Sequence, residues 1–210
     1  MKSDKKIKYL TQKELSKFFN QIEKSKYTEL FWLRDLTMFN IAYYCWLRAW
    51  EIGSLKLDDY NMDNWEISVT RLKWSVSNTL RLDKKRNLLL KKYLKEYYKN
   101  EGEKWYRLYH VKNEYDVLFK TKFGQGLGTR WVHQIFVKYM SKTNIVKDKH
   151  HPHVLKHSMA VHLAESNMDI KEIQFWLWHK EIRNTLVYFQ YTTAQQEYMY
   201  KKISMNSNIV

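Results

Sequence analysis

Glycine, proline and cysteine are scarce in this chain of 210 residues, with five, one and one respectively. The lone cysteine, Cys45, excludes an internal disulfide framework, and its place in an apolar run marks it as a small core residue. No apolar stretch is long and uninterrupted enough to span a bilayer. The opening MKSDKKIKYL carries basic residues but lacks the apolar centre of a secretory signal. The expectation from these absences is a soluble cytoplasmic protein with no membrane association. Acidic residues are also in short supply: 22 Asp+Glu against 37 Lys+Arg leave a formal charge of +15. The basic residues are spread along the chain, so the folded surface itself should be positive and attract polyanions, of which nucleic acid is the commonest. Charge alone fits an anionic membrane or a ribosome as well. The glycine shortage stands out most, because a typical domain of this length has about 7% glycine, or roughly fifteen residues, to make its turns and helix ends.

The length suits one domain. A capping box opens the first helix at Thr11-Gln12-Lys13-Glu14, and Leu15, Phe18, Phe19 and Ile22 follow at helical spacing. A second helix is expected over about Glu29 to Leu47, closed by Arg48, with a short helical turn at WEIGSL after it. WEISVT alternates and is β-branched, and with NTLRL it reads as a hairpin or small meander. A basic amphipathic helix runs from Lys84 to Tyr98, and a loop region carries DVLF and FGQGLGT. Helices are then expected at about Thr129–Ser141, His153–Ser166, Asp169–Leu177, Arg183–Phe189 and Ala194–Ile203. The fold class is α+β and mostly helical, with one small antiparallel sheet of three strands.

Three segments hold the candidate chemistry: Arg48 with Glu51 after it; Lys73 in the turn of the strand pair; and the C-terminal third, with HPHVLKHSMAVHLAE and IQFWLWHKEIRNTLVYFQYTT. Singly each has an ordinary explanation. An arginine after an apolar helix favours the helix dipole, a turn lysine is solvated, and one of sixteen tyrosines at helical spacing belongs in a core. His153 and His157, four apart, have a spacing that can chelate zinc, but no carboxylate or thiol stands at a convincing ligand spacing.

The set in order says more than its members. WLRAWEIGSLKLDDY matches a GLR..E..L...D pattern. His153-Val154-Leu155-Lys156-His157-Ser158-Met159-Ala160-Val161-His162-Leu163 matches HxLRHxxAxxL. Ile173 to Gln190 matches IQxxLGHxxxxxTxxYxH, with His179, Thr185 and Tyr188 in register. From Tyr9 to about Thr193 the chain resembles the tyrosine recombinase (phage integrase) family. HPHVLKHS is similar to the HPHMLRHS of single-domain inverting recombinases of fimbrial phase variation. The resemblance implies the catalytic-domain fold of that family over residues 1–210 without a separate N-terminal DNA-gripping domain.

It also implies a site-specific recombinase that breaks and rejoins DNA through a 3′-phosphotyrosine. Tyr188 would be the nucleophile, with Arg48 and Lys156 on the phosphate oxygens. Lys73 would act as general acid on the leaving 5′-oxygen, His153 would assist proton movement on the tyrosine side, and His179 would hydrogen-bond the phosphate. Glu51 would orient or pack near Arg48 rather than react. No metal or other cofactor is implied. The implied partners are double-stranded DNA in the nucleoid, a homotetramer on two duplexes and an accessory DNA-bending protein. A type IB topoisomerase shares the tyrosine chemistry but not the histidine blocks. The alternative function is a catalytically impaired relative that occupies sites without cutting, motivated by lysine at 156 in place of arginine and by bulky residues beside the site.

Those bulky residues are tryptophans standing where glycine is usual. Trp46 replaces the Gly of GLR and Trp178 that of LGH; Trp74 follows the hairpin lysine; Trp65 sits in DNWE, where Asn-Gly would make a turn; and Trp50 reads naturally as Gly. Trp178 should be a left-handed helix cap, which glycine adopts freely and tryptophan resists. The reading is that these are TGA codons, written as Trp but translated as Gly in the source. Ordinary divergence through TGG codons is the alternative.

Overall fold

A computed structural model describes residues 7–25, 29–70, 78–98, 116–121, 125–166, 168–189, 201 and 204–205. Helix α1 (Gln12–Lys24) starts at the expected capping box: the Thr11 amide donates to Glu14 Oε2 at 2.8 Å, and the Glu14 amide donates to Thr11 Oγ1 at 3.3 Å. Its buried stripe of Leu15, Phe18 and Ile22 faces α2 (Glu29–Tyr44). Helix α2 is the central rod. Leu33, Leu36, Met38, Phe39, Ile41 and Ala42 are buried, and so are the polar Arg34, Asp35, Thr37 and Asn40, so the helix is covered on every side. Phe39 meets Phe18 and Phe136 with ring centroids 5.5 Å away in each case.

A short helix, α3 (Ala49–Ser54), and a 3₁₀ turn at Leu57–Asp59 lead into the sheet of β1 (Tyr60–Asn61), β2 (Glu66–Val69) and β3 (Asn78–Arg81). The order is β1-β2-β3 and both pairings are antiparallel, with Ile67 opposite Tyr60 and Leu80. Alternation puts Ile67, Val69 and Leu80 into the core, while Ser68 and Thr79 share a 2.9 Å hydroxyl contact on the open face. Helix α4 (Lys84–Tyr98) buries Leu90, Tyr93 and Leu94 against α2. DVLF, read as loop, forms backbone bonds with the stretch after α3: the Leu57 amide donates to Asp116 O and the Leu118 amide to Leu55 O, each at 2.7 Å. Gly53 permits a close approach there, since a Cβ on it would stand 1.9 Å from Leu127 O.

Helices α5 (Thr129–Met140), α6 (His153–Glu165), α7 (Ile170–Trp176) and α8 (Arg183–Phe189) follow. Helix α6 packs on α2 and also against α7 and α8, so it joins the main core to a smaller cluster that includes Ala160, Val161, Ile173, Leu177 and Tyr188. The expected fold class therefore stands, while the expected helix at Ala194–Ile203 falls almost wholly outside the described residues. No described helix is long and apolar enough to cross a membrane.

One polar knot lies inside the main core. Arg34 donates to Asp35 Oδ1 from Nε at 2.8 Å and to Lys120 O at 2.9 Å, and the Tyr139 hydroxyl donates to Asp35 Oδ2 at 2.8 Å. Burial raises the Asp35 carboxyl above its ordinary range, against the pull of Arg34. Asp35→Ala leaves the Arg34 guanidinium buried without its counter-charge. The expected loss is about 3–5 kcal/mol of unfolding free energy, read from a shifted denaturant midpoint; a shift within error would show that Arg34 finds another partner.

Candidate active site

Arg48 is positioned by the end of one helix and the start of the next. The chain leaves α2 through Cys45, and Trp46 adopts φ 57°. The Trp46 amide then donates to Tyr43 O at 3.3 Å and the Leu47 amide to Ala42 O at 2.9 Å, the paired bonds of a Schellman ending. Arg48 therefore does not close the second helix, as its apolar run suggested. The reversal comes two residues earlier, and Arg48 is the extended N-cap of α3. Glu51, 1% exposed, accepts the Arg48 amide at 2.6 Å and its Nη1 at 3.1 Å. The carboxylate caps α3 and aims the guanidinium, as expected of Glu51.

Helix α6 supplies His153, Lys156 and His157, which share a face because they lie three and four residues apart. Lys156 is buried, with Nζ 3.5 Å from the centre of the Trp46 ring. His153 is held below its usual range by burial and then by the Lys156 and Arg48 charges, with Glu51 opposing. His157 falls to about 4 for the same reasons: burial first, then Lys156 and its histidine neighbours. Its Nδ1 is 3.2 Å from the Tyr188 hydroxyl. With that nitrogen unprotonated, the phenol donates to it.

Tyr188 projects from α8 and is 5% exposed. Burial pushes its phenol up to about 12, while Arg48 pulls the other way. His179 arrives through a second Schellman ending. Trp178 adopts φ 49°, its amide donates to Phe175 O at 3.0 Å, and the His179 amide donates to Gln174 O at 3.0 Å. The His179 ring is fixed by a 2.8 Å contact from Nδ1 to Thr185 Oγ1. It lies parallel to the Tyr188 ring, within 7°, and packs edge-on against Trp46 at 4.9 Å.

Arg48, His153, Lys156, His179 and Tyr188 thus converge from α3, α6, the turn after α7, and α8. Lys73 lies in residues 71–77, outside the described set. From the sequence, His157 was only a candidate zinc ligand paired with His153, with no part in the tyrosine chemistry, although it stood inside the quoted motif. Among the described residues no group of three or more His, Cys, Asp or Glu could hold a metal ion.

Residues 8–195 match the phage integrase family. The chain belongs to that family. The tyrosine recombinase XerD of Listeria monocytogenes (serotype 4b) is 32% identical over 170 residues, covering 81% of this chain and 54% of its own length. XerA of Pyrococcus furiosus is 26% identical over 203 residues, covering 97% of this chain and 64% of its own. The chain spans about half the length of the curated relatives it matches. Among solved structures, XerA recombinase superposes with TM-score 0.71 at 21% identity, over 93% of this chain and 65% of that one. XerH, a site-specific recombinase bound to a palindromic difH substrate, gives 0.71 at 22% identity over 92% and 52%. These structures share the fold.

NMR titration should place the His157 imidazole near pH 4 and the Tyr188 phenol near 12. The unfolded chain binds protons to His157 below its ordinary value of about 6.5 and the folded chain does not, so stability should fall as pH drops from there toward 4. His157→Gln should flatten that dependence. A His157 midpoint at its ordinary value contradicts the reading.

Proposed function

We propose that the chain is the catalytic domain of a site-specific DNA recombinase working through a 3′-phosphotyrosine. One observation carries this: the buried Tyr188 hydroxyl rests on a neutral imidazole, His157, within a cluster that also holds Arg48, Lys156 and His179. The phenol oxygen of Tyr188 attacks a DNA phosphodiester and its proton passes to His157 Nδ1. The bond to the 5′-oxygen breaks, and that oxygen leaves as a hydroxyl with a proton from Lys73. The new phosphotyrosine keeps the energy of the broken bond, so a 5′-hydroxyl from another strand can reverse the step without a nucleotide cofactor.

Charge gathers on the non-bridging oxygens in the transition state, and fixed cations stabilise it there. Arg48, aimed by Glu51, and Lys156 supply that charge. His179, oriented by Thr185, donates a hydrogen bond, and His153, which feels the charge of both cations, assists proton movement on the tyrosine side. Lysine at 156 presents a point charge instead of a bidentate fork, so Lys156→Arg should bind the phosphate at least as well. The spread of positive charge over the chain supports duplex DNA as the partner. The working assembly is read as four protomers on two duplexes in the nucleoid, with an accessory protein bending the DNA.

The test uses duplexes drawn from the DNA flanking the gene, each nicked near the candidate cleavage point so that the short 5′-hydroxyl fragment escapes. A covalent adduct on a denaturing gel is the expected result, absent in Tyr188→Phe. His157→Ala should slow adduct formation by about 10²–10⁴-fold while leaving DNA affinity unchanged. Tight binding with no adduct on any duplex would leave a binding protein rather than a strand-transfer enzyme.

A further inference from the structure

The non-glycine residues with positive φ, among those described, are Trp46 at 57°, Trp65 at 61° and Trp178 at 49°. A left-handed backbone is rare for residues with a Cβ, and asparagine, aspartate and histidine account for a disproportionate share of the exceptions; a bulky side chain there is an outlier. Nothing in general physical chemistry draws tryptophan to this conformation three times. The positions are alike in kind. Residues 46 and 178 are the turning points of the two Schellman endings, the place where glycine is the usual residue. Residue 65 closes the four-residue connection between β1 and β2, after an Asn61 side chain that accepts the Asp63 and Asn64 amides at 3.0 and 3.1 Å. Trp32, Trp131 and Trp176, by contrast, all sit inside helices, where any side chain is accommodated.

We infer that positions 46, 65 and 178 are glycine in the protein as its own cell makes it, through a TGA codon that the cell reads as glycine. The chain's composition points the same way, with nine tryptophans beside five glycines. Trp74 lies outside the described residues, and Trp50 falls in the first turn of α3, where the backbone makes no demand for glycine. These two carry no part of the inference.

The identity of residue 46 matters to the site, and this part rests on the proposed strand-transfer reading. The Trp46 indole is 6% exposed and packs against both the Lys156 ammonium and the His179 ring, two of the groups assigned to the phosphate. Glycine at 46 keeps the turn that delivers Arg48 and opens the space over Lys156 and His179 to substrate.

The gene is read first. TGA at codons 46, 65 and 178 is expected, and TGG at all three overturns the inference. Three chains are then compared: the tryptophan form, a Trp65→Gly/Trp178→Gly form, and the same form with Trp46→Gly added. Relieving two left-handed tryptophans should raise Tm by several degrees, whereas Trp176→Gly inside α7 should lower it. A lower Tm for the double variant counts against glycine at these positions. Adding Trp46→Gly should speed adduct formation on nicked DNA about tenfold or more, since a misplaced phosphate costs that much or worse. An unchanged or slower rate overturns glycine at 46. Failure of every chain to form an adduct tells against the strand-transfer reading, while the codons and the melting temperatures still decide the residue.

Discussion

A buried carboxylate governs the site. Glu51 is shut away from water, and both of its oxygens are committed to Arg48, one to the amide and one to the guanidinium. A carboxylate is tolerated at such depth only if paired, so Glu51 and Arg48 hold each other in place. The same contact fixes where α3 begins. Through Gly53 and Leu55, α3 then sets the close approach of Leu127 and Leu118. The Arg48 side chain remains one-third exposed, and its charge reaches Tyr188.

Beside that fixed cation two histidines are held neutral. Burial and neighbouring positive charge hold His153 and His157 below their ordinary range, so at neutral pH they accept protons instead of adding charge. The tyrosine is moved in the opposite sense and stays a phenol until a base takes its proton. A resting site with a neutral nucleophile, a neutral acceptor and fixed cations suits the proposed reaction, in which negative charge appears only once substrate is bound.

Much of this was legible in the sequence, because α1 and α5 carry clear apolar stripes and capping boxes mark the starts of α1 and α7. Helix α8 has the expected bounds, α5 and α6 end one residue early, and α7 is shorter than expected by one residue at each end. The end of α2 was misplaced because the apolar run continues through Cys45, Trp46 and Leu47 into the core after the helix has stopped. Hydropathy records burial and is blind to the sign of φ. The pairing of DVLF with the chain after α3 depends on contacts about sixty residues apart, and no local pattern encodes them. The part of His157 in the tyrosine chemistry was overlooked for a similar reason. The motif gives its spacing from His153, but its contact with Tyr188 depends on how α8 packs across α6.

Two groups of the site, Arg48 and His179, stand within two residues of a left-handed turn that ends a helix. Such a turn is a rigid joint whose direction depends on where the helix stops, and each helical residue advances that direction by about 100°. The lengths of α2 and α7 are therefore part of the active-site geometry. A single residue gained or lost within either helix would swing Arg48 or His179 away from Tyr188 even if every contact in the core were repacked. Insertions and deletions should thus be excluded from α2 and α7 far more strictly than substitutions on their surfaces, and the turn connecting β1 to β2, which aims no reacting group, carries no such restriction.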